Sequence, residues 1–197
     1  HLAEVRRIAD NPEPATFVNT FEALERSGEL LTRASAIFFA MTSANTNPTL
    51  QAAEETLAPK LAEHSDAIHL DPALFARVKA VHDQRDTLGL APEQKTVLEH
   101  TYDAFVRAGA QLDDAHKAEL RKLNSEESTL TTAFSNKLLA ANNAGGVFVA
   151  DAATLDGLDD GAKAAAAEAA KAAGKDGQWL LSLQNTTQQP VLGSLKD

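Results

Sequence analysis

Six histidines, His1, His64, His69, His82, His100 and His116, are the side chains here best suited to hold a metal or move a proton near neutral pH. A zinc-peptidase helix needs two of them four residues apart with a glutamate after the first, and no pair has that spacing. A di-iron bundle needs Glu-x-x-His twice. The nearest approaches, Asp66 with His69 and Asp113 with His116, carry aspartate instead and lack matching glutamates. His64, Ser65 and Asp66 are the residue types of a hydrolase triad, but triad groups converge from separate turns of chain. Gly145 and Gly146 are not followed by the Lys and Ser or Thr of a phosphate-binding loop. The carboxylate pairs Glu54–Glu55, Asp113–Asp114, Glu126–Glu127 and Asp159–Asp160 read as helix caps or solvated faces. Glu126 and Glu127 are a special case, because an apolar stripe passes through their positions. One of them is expected near the buried side, bonded to a neighbouring helix. No catalytic, cofactor-binding or metal-ligating residue is assigned on this chain.

The elements that would position such groups are helical. Asp113 to Asn143 contains no proline or glycine, and Leu120, Leu123, Leu130, Phe134 and Leu138 share one face of it. It reads as a long central helix against which shorter ones pack. Upstream, the periodicity predicts helices over Leu2–Ala9, around Phe17, Phe21 and Leu24, and along Leu30, Leu31, Ala34, Ile37, Phe38 and Met41. Asn47 before Pro48 and Asp71 before Pro72 are cap-plus-proline starts, and Pro92 opens a further helix. Pro59 falls inside a helical pattern and should kink it, at a cost of about 3 kcal/mol unless packing favours the bend.

After Gly146 the period changes. Val147–Val149 and Trp179–Leu183 are short β-like runs. The alanine-rich helix between them, Ala162–Ala173, has high propensity but little to bury and is expected at the surface. A last helix should carry Val191, Leu192 and Leu195 on one side. The expected fold is therefore mostly α: an antiparallel bundle around one long helix, with a small two-stranded β element near the C-terminus. Residues 1–146 are expected to form a helical lobe, and 147–197 a small β/α segment. A chain ending inside a helical pattern suggests a piece of something longer.

Composition narrows the partners. A net charge of -10 makes nucleic acid and anionic membrane poor candidates. With no cysteine there are no disulfides and no thiolate metal sites. No apolar run approaches the roughly 18 residues of a membrane span. No signal peptide is visible, in keeping with a cytoplasmic setting. The start at His1, without a methionine, leaves the periplasm as the alternative.

Several stretches, in order, are similar to the thimet oligopeptidase family of zinc metallopeptidases. They are Pro14 to Gly28 (PATFVNTFEALERSG), Leu74 to Val78 (LFARV), Asp83 to Arg85 with Leu88 to Leu90, Phe105 to Ala110 (FVRAGA), Leu123 to Glu126 (LNSE) and Leu183 to Pro190 (LQNTTQQP). The chain most resembles the N-terminal region in the bacterial peptidyl-dipeptidase branch, with the oligopeptidase A branch next. The resemblance implies a mostly helical, two-lobed protein with a deep channel that admits short peptides. Zinc would be held in the other lobe by H-E-x-x-H and a downstream glutamate. That motif is absent from this sequence, so the resemblance transfers no catalytic or metal residue to any position here. It implies a substrate-channel lobe of a peptidase, inactive alone, whose partners are short peptides and its own catalytic lobe. The alternative is a helical interaction or scaffold domain without chemistry.

Overall fold

The computed structural model describes residues 1–196, which fall into two compact units, 1–132 and from Ala133 on. The first unit contains α1 (Leu2–Ala9), a π-helical segment (Phe17–Glu22) running into the short α2 (Ala23–Glu25), α3 (Glu29–Ala44), α4 (Pro48–His69), α5 (Pro72–His82) and α6 (Pro92–Arg107). It also holds the larger part of α7 (Asp114–Ala144). The helix starts follow from local chemistry. Asn47 Oδ1 accepts the Thr49 and Leu50 amides at 3.0 Å, and Asp71 Oδ1 accepts the Leu74 amide at 2.8 Å. Each bond satisfies an amide that a helix leaves unpaired in its first turn. Helix α4 continues unbroken through Pro59.

The core of this unit forms where α1, the π-helical segment, α5 and α6 meet. Phe21, Leu74, Val78, Val81, Leu98 and Phe105 are buried there, and the Phe75 ring stacks on Tyr102 and Phe105 at 5.9 and 6.2 Å. These helices carry apolar faces of leucine, valine and aromatic side chains, and they bury one another.

The long helix exists, but the core does not form on its stripe. Leu123, Leu130, Phe134 and Leu138 are all exposed, Phe134 by 65 %. Periodicity identifies residues that share a face; it does not say what covers that face. Glu126 and Glu127 are both exposed, which corrects the expectation of a carboxylate on the buried side there. The buried carboxylate is Asp66 on α4, which accepts a 2.7 Å bond from Asn124 Nδ2 of α7.

In the second unit, β1 (Gly146–Val149) pairs antiparallel with β2 (Trp179–Ser182), in the register Val147 opposite Leu181 and Val149 opposite Trp179. A 3₁₀ turn (Ala152–Leu155) and α8 (Asp160–Ala172) lie between the strands in sequence, and α9 (Asn185–Ser194) follows β2. Leu155, Leu158 and Val191 form the core, with Trp179 and Leu181 packed against it. The alanine-rich helix is not simply a surface element, as expected from its composition. It packs on β2, and Ala166 and Ala170, four residues apart on one face, are buried. Methyl side chains let a helix backbone approach a strand closely, so a small residue can be a core residue. On α9, Val191 is buried and Leu192 is exposed. The mostly helical class and the C-terminal strand pair match the sequence reading. No described helix is long and apolar enough to cross a membrane.

Candidate functional site

The histidines are dispersed over the first unit. His116 Nδ1 lies 2.8 Å from the Asp113 carboxylate, whose Oδ1 also accepts the His116 amide at 2.9 Å, so this pair caps the start of α7. The backbone N–H of His116, then its ring, holds the Asp113 carboxyl below the usual carboxylate range. His69 Nδ1 is 3.0 Å from the Ser65 carbonyl, and its ring lies 5.0 Å from Phe105. His82 stacks on Tyr102 at 3.7 Å, and His100 is exposed. His1 and His64 have ring centroids 4.8 Å apart, and His1 Nε2 sits 3.1 Å from Ser27 Oγ. Among the described residues, no three His, Asp or Glu side chains converge as metal ligands. The described residues therefore offer no ligand set for a zinc ion, which the resemblance places in the other lobe. His64, Ser65 and Asp66 are likewise not a triad: the Asp66 carboxylate is engaged by Asn124.

His64 gives a pH expectation. Its Nε2 is buried without a hydrogen-bond partner. Burial, then the positive amino terminus, holds the ring below its ordinary value of about 6.5. Between that lowered value and the unfolded one, the unfolded chain binds the extra proton, so stability falls as pH drops through this window. Urea midpoints measured above and below pH 6.5 should converge in His64→Gln relative to the parent sequence. An unchanged difference would assign the pH dependence elsewhere.

Sequence reasoning missed the polar centre of the first unit. Arg77 is buried on α5, and its Nη1 donates to the carbonyls of Asn11 at 2.8 Å and Glu13 at 2.9 Å. Its Nη2 donates to Asn19 Oδ1 at 2.9 Å. The same oxygen accepts the Thr16 amide at 2.8 Å and the buried Thr20 hydroxyl at 3.1 Å, while Asn19 Nδ2 donates to the Pro14 carbonyl at 3.0 Å. The planar, permanently charged guanidinium thus fixes the loop before the π-helical segment. Two stretches that carry the family resemblance, Pro14 to Gly28 and Leu74 to Val78, meet at this point. It is a structural centre: both terminal nitrogens of Arg77 are engaged, and its buried Nε has no hydrogen-bond partner.

One surface open to a ligand in this unit lies beside α7. A groove of about 670 Å³ is lined by Glu63 of α4 and by Arg121, Lys122, Ser125, Glu126 and Leu130 of α7. Cations, carboxylates, two hydroxyls (Ser125 and Thr129) and one leucine line it together. Such a mixture can pair with the termini and backbone of an extended peptide, and it holds no metal ligand set among the described residues.

No family model matches the chain. It is 49 % identical over 195 residues to dipeptidyl carboxypeptidase of Escherichia coli (strain K12), covering 99 % of this chain and 29 % of that relative. It is 46 % identical to dipeptidyl carboxypeptidase of Salmonella typhimurium, covering 98 % of this chain and 28 % of the relative. Oligopeptidase A of Escherichia coli is 26 % identical over 188 residues, with 95 % of this chain and 28 % of the relative covered. The chain thus spans less than a third of the length of these curated relatives. Over nearly its whole length, the chain is homologous to one segment of the dipeptidyl carboxypeptidases and, more distantly, of the oligopeptidases A.

Proposed function

We propose that this chain is the substrate-channel lobe of a zinc metallopeptidase that cleaves short peptides and releases dipeptides from their C-termini. The zinc and its general base would lie in a second lobe outside this chain. The observation that carries the reading is the 49 % identity to a dipeptidyl carboxypeptidase over 99 % of the chain and 29 % of that relative. The groove beside α7, whose mixed lining suits contact with peptides of varied sequence, supports a substrate-contacting role.

The test is made on the longer polypeptide encoded by the full reading frame. N-acylated short peptides are incubated with it, and the products are identified by mass spectrometry. Free C-terminal dipeptides should appear, disappear on chelation and return with added zinc. Chain 1–197 alone should release none. A longer polypeptide that leaves all peptides intact, or cleavage by this chain alone, would overturn the assignment.

A further inference from the structure

Helix α3 has sixteen residues and buries none of them. Leu30, Ala34, Ile37 and Met41 step by four, three and four, the spacing of a heptad seam, and all four are exposed. Leu30 is 80 % exposed, Ile37 66 % and Met41 54 %. Single exposed apolar residues are ordinary, but an aligned row along a helix is not. The helix carries only two charges, Glu29 and Arg33, which face each other at 3.8 Å, although the chain as a whole has a net charge of -10. Its known packing partner is α4, and the half-buried residues are a different set: Leu31, Ser35, Phe38, Phe39 and Thr42. The seam is left over after the unit's own packing.

We propose that the seam Leu30–Ala34–Ile37–Met41 is the docking face for one α-helix of the same parent polypeptide, drawn from the length that this chain does not span. The inference rests on the reading that the chain is part of a longer peptidase, of whose relatives it covers 29 %. Four-three spacing accepts a second helix crossing at about 20°, with knobs seated between seam residues. A second copy of this chain is a worse occupant. Two copies would each bring a net charge of -10 and pay the full entropy of association. A covalently linked helix is presented at millimolar-range effective concentration, which outweighs that repulsion.

The chain contains no cysteine, so introduced thiols report position by position. Ile37→Cys and Ala34→Cys on the seam, and Thr32→Cys on another side of the same helix, are made in the full-length polypeptide. Their alkylation by N-ethylmaleimide is followed by peptide mapping, at a concentration where light scattering gives a monomer. The two seam thiols should react at least about tenfold more slowly than the Thr32→Cys thiol, because a docked seam is reached only through local opening. Ala34→Cys changes little volume and serves if Ile37→Cys misfolds. Equal rates in the monomer overturn the proposal. So does protection that is present in a dimer and lost on dilution, which assigns the seam to a second copy. Dipeptide release is measured on the same preparation. A protected seam without peptidase activity defeats the functional reading alone, and activity with a reactive seam defeats the docking alone.

Discussion

Arg77→Ala is expected to destabilise the first unit by about 3 kcal/mol, with two or three times the effect of an ordinary buried hydrogen-bond deletion. The guanidinium donates to three acceptors that come from two separate stretches of chain, Asn11 with Glu13 and Asn19. Truncation removes all three bonds and leaves Asn19 Oδ1 with only its local donors, Thr16 and Thr20. It also leaves a gap where the buried Arg77 side chain was. For a chain of this length, 3 kcal/mol corresponds to roughly 6–12 °C in Tm. Arg77→Lys should recover only part of the loss, since one ammonium cannot reproduce the planar fork. Differential scanning calorimetry is the measurement. If Arg77→Ala melts with the parent sequence, the centre is incidental to stability.

Gly157→Ala is expected to cost a similar amount in the second unit, by a different mechanism. Gly157 has φ +101°, a backbone region that L side chains rarely adopt, and its added Cβ would be driven onto the Ser194 carbonyl oxygen at the end of α9. The conformational strain alone is about 1–3 kcal/mol. The clash is with backbone, so the end of α9 must move, and the 3.1 Å bond from the Lys196 amide to the Asp156 carbonyl is lost with it. Buried Val191 then loses part of a burial worth about 1.5–3 kcal/mol. Gly174→Ala is the internal control. Gly174 has φ +79° but nothing within 4 Å of its added Cβ, so only the conformational cost of about 1–2 kcal/mol remains. Amide exchange should show protection across α9 lost in Gly157→Ala and kept in Gly174→Ala. Retained protection in Gly157→Ala would mean that the turn can relax.

The features legible in the sequence are those decided within a few residues. Asn47, Asp71 and Asp113 each bond an amide two or three positions downstream, so their caps could be read locally. The strand pair was legible because its period differs from everything before it. Burial was less legible. Both α3 and α7 carry regular apolar rows, as α5 does, yet only the row on α5 is covered. Ala166 and Ala170 resemble their exposed neighbours Ala164 and Ala165 in composition, and only the strand beside them makes them core. The polar centres were not legible at all. Arg77 reaches residues 58 to 66 positions away, and Asn124 reaches Asp66 at a separation of 58. No local pattern marks either member of such a pair before the chain has folded.

The strand pairing also sets an order of events during folding. Val149 meets Trp179 across an alanine-rich helix and two turns, so their contact must wait for a long loop to close. Loop closure of this kind is slow compared with helix formation, which draws on neighbours four residues apart. The helices of the first unit can therefore form on local contacts before the hairpin exists. Trp179 is the single tryptophan of the chain and sits at the end of that pairing. Its fluorescence follows the closing of the sheet, while circular dichroism follows the helices. One natural side chain thus separates this long-range step from the fast local ones, with no label added.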